Sequence, residues 1–203
     1  MPTQNLAVPY QEFLNQDSRH GQIVAALPAI EPRLQKLLAE LILMRSFDEF
    51  QTAIAGIACR LACGTNYVDG TAPQLLVSRA RSTAGAIDLF ENHGRQRRRY
   101  VKWSKVSYIN ETTEYVIDRS DPLLVACSSG SVVISEMQAV RNRIAHANSS
   151  SRANYAGVIR RHYGAALNNV SPGLFLLSPR FTPTKLEEYL TSCRVVLKQS
   201  VRA

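Results

Sequence analysis

Along much of this 203-residue chain the hydrophobic residues recur at steps of three and four, the spacing that places them on one side of an α-helix. From Pro32 onward, Leu34, Leu37, Leu41, Met44, Phe47, Phe50, Ile54, Ile57 and Leu61 form one such series. They predict a long amphipathic helix, bent near Ser46 or Gly56 and stopped at Gly64. Leu76, Ala80, Thr83, Ile87 and Phe90 predict a second helix, closed by Asn92 to Gly94. A third is expected from about Ser131 to Ala147 and a fourth from about Ser151 to Leu167. A last helix starts at Thr182-Pro183 or at the capping box Thr184 to Glu187, with Leu186, Leu190, Cys193 and Leu197 on one face.

Two regions carry a weaker pattern. Residues 1–27 read as a loosely ordered arm with one short helix, leaving 28–203 as a single domain. In "VSYINETTEYVID" the β-branched and aromatic residues alternate loosely with polar ones, which predicts a small hairpin or an irregular insertion near 100–118. The class expected is all-α, an up-and-down bundle of about four to five helices.

Composition narrows this picture. With 45% hydrophobic and 20% charged residues the chain has the makings of a globular core. No apolar run reaches the roughly 18 residues of a membrane span, and "MPTQNLAVPYQEFLNQD" has neither a basic region nor an apolar one of the secretory kind. The expectation is a cytoplasmic protein that does not engage a membrane. The net charge of +8 comes from 24 basic against 16 acidic residues, and 19 of the basic ones are arginine. Arginine suits bidentate contacts to phosphate, so a polyanionic partner such as RNA is favoured. Cys59, Cys63, Cys127 and Cys193 lack zinc spacing and read as buried thiols; no metal and no cofactor is expected.

The candidate chemistry lies in "SEMQAVRNRIAHANSSSR", residues 135–152. At 100° per residue, Val133, Met137, Val140 and Ile144 make the buried stripe, Asn142 and His146 fall opposite it, and Arg141 and Arg143 flank it. His146 sits near the helix C-terminus, where the helix dipole favours a positive imidazole. An arginine beside it offers a fork of donors to a phosphate, and Asn142 can orient either group. This set suits metal-free RNA cleavage, with the ribose 2′-OH as nucleophile, histidine moving the proton and arginine stabilising the developing charge. Composition alone would produce an Arg-Asn-x3-His run only about 0.02 times in such a chain.

Residues 141–146, "RNRIAH", resemble the RNxxxH signature of the HEPN superfamily of small helical ribonucleases. The segment "MRSFDEFQTAI", residues 44–54, is similar to the first-helix pattern of the RiboL-PSP-type HEPN group, a small residue followed by an acidic–aromatic pair, here Glu49 and Phe50. The resemblance spans residues 30–200. It implies Arg141 and His146 as catalytic, Asn142 as their support and Glu49 as an auxiliary. It also implies a homodimer whose two motif helices build one composite site, and products ending in a 2′,3′-cyclic phosphate or 3′-phosphate and a 5′-OH. An antitoxin or defence-system protein is the implied partner. HEPN toxins controlled by nucleotidyltransferase antitoxins carry a tyrosine two residues after the histidine; Asn148 stands there in this chain, which argues against that control.

"RQRRRYVKWSK", residues 95–105, interleaves basic residues with Tyr100 and Trp103, either a single-stranded RNA track or a solvated loop whose Trp103 packs on the core. Arg97, Arg98, Arg99, Arg143 and Arg152 are the candidate RNA contacts, with Arg160 and Arg161 extending the basic rim. His20, His93 and His162 show no partner spacing. The function expected is a metal-independent endoribonuclease serving as a toxin or phage-defence effector. The alternatives are a catalytically silent HEPN-like module that binds nucleotide, RNA or protein, and a helical adaptor that binds duplex DNA through its basic stretch.

Overall fold

A computed structural model describes residues 5–93, 100–165, 167 and 169–202. Among them the chain is helical, with no strand beyond an isolated bridge between Leu75 and Ile117. The helices are α1 (Ala7–Ala26), α2 (Pro32–Ala62), α3 (Thr83–Asn92), α4 (Val106–Thr113), α5 (Pro122–Ser129), α6 (Ser131–Ala145), α7 (Ser149–Tyr163), α8 (Pro172–Leu176) and α9 (Lys185–Val201), with a 3₁₀ turn at Leu27–Ala29. The all-α class therefore holds, with more and shorter helices than the periodicity predicts. No helix among the described residues is long and apolar enough to cross a membrane.

Three expectations change. The first 27 residues carry the 20-residue helix α1 in place of a loose arm. Phe13 is buried within it and Leu6 and Leu27 at its two ends, but Asp17 and His20 take the covered positions between, which hides the stripe. The Nδ1 atom of His20 is satisfied by Ser46 Oγ at 2.9 Å. The second predicted helix starts at Thr83, not near Leu76, because Ser82 caps it by accepting the Gly85 amide. Where a hairpin or insertion is expected, α4 forms instead, burying Ile109, Thr112 and Thr113.

The chain divides into two compact units. One comprises Met1–Leu14, Glu49–Ser131 and Arg194–Ala203. In its core lie Phe50, Ile54, Ile57 and Leu61 of α2, with Ile109, Leu123 and Cys127. Asp121 is the N-cap of α5, accepting the Leu123 amide at 3.1 Å. The same buried carboxylate accepts the Tyr67 hydroxyl and the Gln74 amide, fixing the irregular connection that follows α2. Gly64 turns the chain there at φ +81°, with the Arg79 side chain lying where a Cβ would stand.

The other unit comprises Asn15–Asp48 and Val132–Cys193. Its core gathers Leu43 and Phe47 of α2, Ile134, Met137 and Val140 of α6, Tyr155 and Ile159 of α7, Phe175 of α8 and Leu186 and Tyr189 of α9. The capping box at α9 forms as predicted: the Thr184 amide donates to Glu187 Oε2 at 2.8 Å, and the Glu187 amide donates to Thr184 Oγ1 at 3.4 Å. Gly173 lies against the Lys36 backbone, where a Cβ would approach the Lys36 carbonyl to 2.7 Å, and its amide donates to Glu40 at 2.8 Å.

Candidate active site

Helix α6 buries a wider arc than its hydrophobic pattern predicts. Met137 and Val140 are buried as expected, but Ile134 and Glu136 are buried too, while Val133 and Ile144 are only half-covered. On the wheel Arg141 falls between Ile134 and Met137, inside the covered arc. Its side chain is 26% exposed, its Nη2 lies 3.5 Å from Asp48 Oδ1 of α2, and its Nε is buried with no hydrogen-bond partner. Arg141 is thus held on the flank of the helix, not presented fully outward. Asp48 is half-exposed and was missed by sequence reasoning; Glu49, the acidic residue singled out, is half-buried one position round the helix.

His146 lies just beyond the end of α6, and it is exposed, as expected. Its amide donates to the Asn142 carbonyl at 2.9 Å, closing the last turn. Its own carbonyl accepts from Ser151 Oγ at 2.7 Å, and that hydroxyl also lies 3.0 Å from the Asn148 carbonyl. Asn148, two residues after the histidine, caps α7 by accepting the Ser151 amide at 2.8 Å. Ser151 is buried, so the His146 backbone is fixed while its ring faces solvent. Asn142 and Arg143 are half-covered and Arg152 is exposed on the first turn of α7.

The basic rim is only partly as predicted. Arg161 is exposed but already paired: its Nη1 donates to Glu136 Oε1 at 2.6 Å. His162 Nε2 lies 3.0 Å from Glu136 Oε2, and the Tyr189 hydroxyl donates to the same oxygen at 3.3 Å. Burial pushes the Glu136 carboxyl up, but the hydrogen bonds and charges of His162 and Arg161 outweigh it and hold the carboxyl below its ordinary value. Burial also raises the Tyr189 hydroxyl, and the Glu136 charge adds to this, so the phenol stays a donor. This cluster ties α6 to α7 and α9. No sequence spacing announces it; its one sign is a glutamate beside the apolar stripe of α6.

Arg97, Arg98 and Arg99 lie outside the described residues. Of the two aromatic candidates beside them, Trp103 packs edge-on against Phe90 at 5.6 Å and is 9% exposed, so it is a core residue, not a stacking platform. Tyr100 is exposed, and the Lys102 ammonium sits 5.1 Å from its ring centre and 4.9 Å from that of Tyr108. No group of three or more His, Cys, Asp or Glu side chains that could hold a metal ion occurs among the described residues. All four cysteines are thiols, and three are buried. Comparison of the chain with protein-family models, with curated proteins and with solved structures gives no match.

Proposed function

We propose that this chain is a metal-independent endoribonuclease of the HEPN type, working as a homodimer on RNA and serving as a toxin or phage-defence effector beside an antitoxin or defence-system protein. The observation that carries the proposal is the end of α6. There Arg141 is oriented by Asp48, and His146 stands in solvent on a backbone held by Ser151.

In the reaction the ribose 2′-oxygen bonds to phosphorus and the bond to the 5′-oxygen breaks, leaving a 2′,3′-cyclic phosphate and a 5′-OH. A neutral His146 takes the 2′-hydroxyl proton, and the partner's His146, as imidazolium, gives one to the leaving oxygen. Arg141 supplies charge-assisted donors to the phosphorane oxygens, and Asn142 supports it. Arg143 and Arg152 contact flanking phosphates. The test is cleavage of a labelled RNA in EDTA by the purified chain. His146→Ala and Arg141→Ala should each reduce the rate by at least about 100-fold while the helical circular dichroism stays unchanged. Equal cleavage by all three proteins overturns the site.

One observation favours a second reading, a silent module that binds RNA, nucleotide or protein: Arg141 is mostly covered and already ion-paired. In that case the same RNA binds saturably, and no new ends appear in the cleavage assay.

A further inference from the structure

Helix α2 has two apolar sides within Asn15–Asp48. Ala39, Ile42, Leu43 and Ser46 are buried. On the opposite side, about 170° round the wheel, Leu34, Leu37 and Leu41 are 47%, 62% and 53% exposed, and Met44 is half-covered. Three large leucines in line, rimmed by Arg33, Glu40 and Arg45, are the kind of surface that marks an interaction site. Their order is also specific. Positions 34, 37, 41, 44 and 48 alternate steps of three and four, the repeat with which one helix packs along another of the same pattern. The fifth position is Asp48, the partner of Arg141.

We propose that a second copy of this chain docks on this face, the two α2 helices running parallel, with Leu34, Leu37, Leu41 and Met44 forming the seam. The seam is self-complementary. Exposed Arg45 and half-covered Glu40, one of whose oxygens accepts the Gly173 amide, stand on its opposite shoulders, and in a parallel pair Arg45 meets the partner's Glu40. The two Asp48 carboxylates that the seam would bring together each arrive with their own Arg141 guanidinium, so neither meets the other uncompensated. An antiparallel pair also matches charge, Arg45 then meeting the partner's Glu31. It would carry the two Asp48 positions roughly 27 Å apart at 1.5 Å per residue, too far for one shared site. The parallel direction therefore rests on the nuclease reading, and the exposed leucine face does not.

Sedimentation equilibrium of the full chain without RNA, at micromolar protein, tests the seam. The expected mass is twice the 22.6 kDa of the chain, falling to the single-chain value in Leu37→Glu and in Leu41→Glu. Both residues are exposed, and an unchanged helical circular dichroism signal confirms that each variant folds. Direction is read by oxidative crosslinking. Leu37→Cys alone should yield a covalent dimer, because position 37 meets itself in a parallel pair. A single-chain mass for the unaltered protein, or a dimer that persists in both glutamate variants, overturns the proposal. So does crosslinking only when Leu37→Cys and Leu41→Cys proteins are mixed. A dimer that leaves RNA intact keeps the seam and removes the nuclease, whereas a monomer that cuts RNA does the reverse.

Discussion

The Nη2 atom of Arg141 lies 3.5 Å from Oδ1 of Asp48, joining the motif helix α6 to the residue of α2 that ends its outward stripe. The pair orients far more than it stabilises. Asp48 is half-exposed, and ion pairs of that kind contribute about 0.2 to 1 kcal/mol. Asp48→Asn should therefore lower the melting temperature by no more than about 4 °C. Under the proposed function its RNA cleavage rate should fall by about 10-fold or more, since a displaced guanidinium loses its aim at the phosphate. Thermal melting and initial rates on one labelled RNA check both, and an unchanged rate would remove Asp48 from the site.

Glu136 is the structural counterpart of that pair. Its carboxylate receives Arg161, Tyr189 and a close approach by His162, and it is almost wholly covered. Glu136→Ala should cost about 1 to 3 kcal/mol in urea unfolding, because it leaves the buried Tyr189 hydroxyl and the covered His162 ring without their acceptor. The folded carboxyl binds a proton more weakly than the unfolded one. Its contribution is therefore complete above the ordinary value of 4.5 and is lost as pH falls below that toward the folded value. Unfolding free energy measured from pH 6 to pH 3 should drop less steeply in Glu136→Gln than in the unaltered chain.

His20 gives a second pH dependence, at a higher range. Burial weakens its hold on a proton; the Asp17 charge opposes this and the Arg45 charge adds to it, with the net value below 6.5. The unfolded chain therefore takes up the proton first, and stability is complete above pH 6.5 and declines as pH falls below it. Melting curves between pH 7.5 and pH 5 should show that decline, and His20→Asn should flatten it. Parallel curves for the two proteins would count against a neutral, buried His20.

Thiol reactivity should separate the cysteines. Burial raises the Cys59 thiol to about 11 and the Cys127 thiol to about 12, whereas Cys63 is partly exposed. Iodoacetamide at neutral pH should label Cys63 first, with Cys59 and Cys127 protected until denaturant is added. Mass spectrometry of the labelled peptides reads the order, and early labelling of Cys127 would contradict its burial.

These residues also show how far the sequence could be read. The series Leu34 to Leu61 was a sound sign of α2, but not of one buried side. Met44, Phe47 and Phe50 follow each other at steps of three, and two such steps in a row turn the stripe by about 120°. Phe47, Phe50, Ile54, Ile57 and Leu61 therefore enter the core, while Leu34, Leu37 and Leu41 face out. Spacing records a helix; it does not record which of two apolar sides is covered. Helix α1 was obscured for a related reason, with Asp17 and His20 filling covered positions that a stripe reserves for apolar residues. In the candidate site the exposure of His146 is legible from its wheel position opposite the apolar stripe, and its place at the helix end from the "ANSSS" that follows. The flank position of Arg141 is equally legible, but the ion pair that holds it there is not, because that depends on Asp48 of another helix. The hairpin or irregular insertion expected near 100–118 rests on β-branched and aromatic content, which α4 uses to fill a core instead.

Asp121 gathers the Tyr67 hydroxyl, the Gln74 amide and the Leu123 amide on one buried carboxylate. It does by hydrogen bonding what a disulfide does covalently, closing a ring between distant positions of the chain. The long stretch between α2 and α3 contains no helix, and this carboxylate fastens it at Tyr67 and at Gln74. Between those fastenings the Asp69-Gly70 turn is held as well, Asp69 accepting the Thr71 amide at 2.8 Å and pairing with Arg202 at 3.3 Å. Foreign sequence spliced in there would therefore break contacts that a splice into an unbonded loop spares.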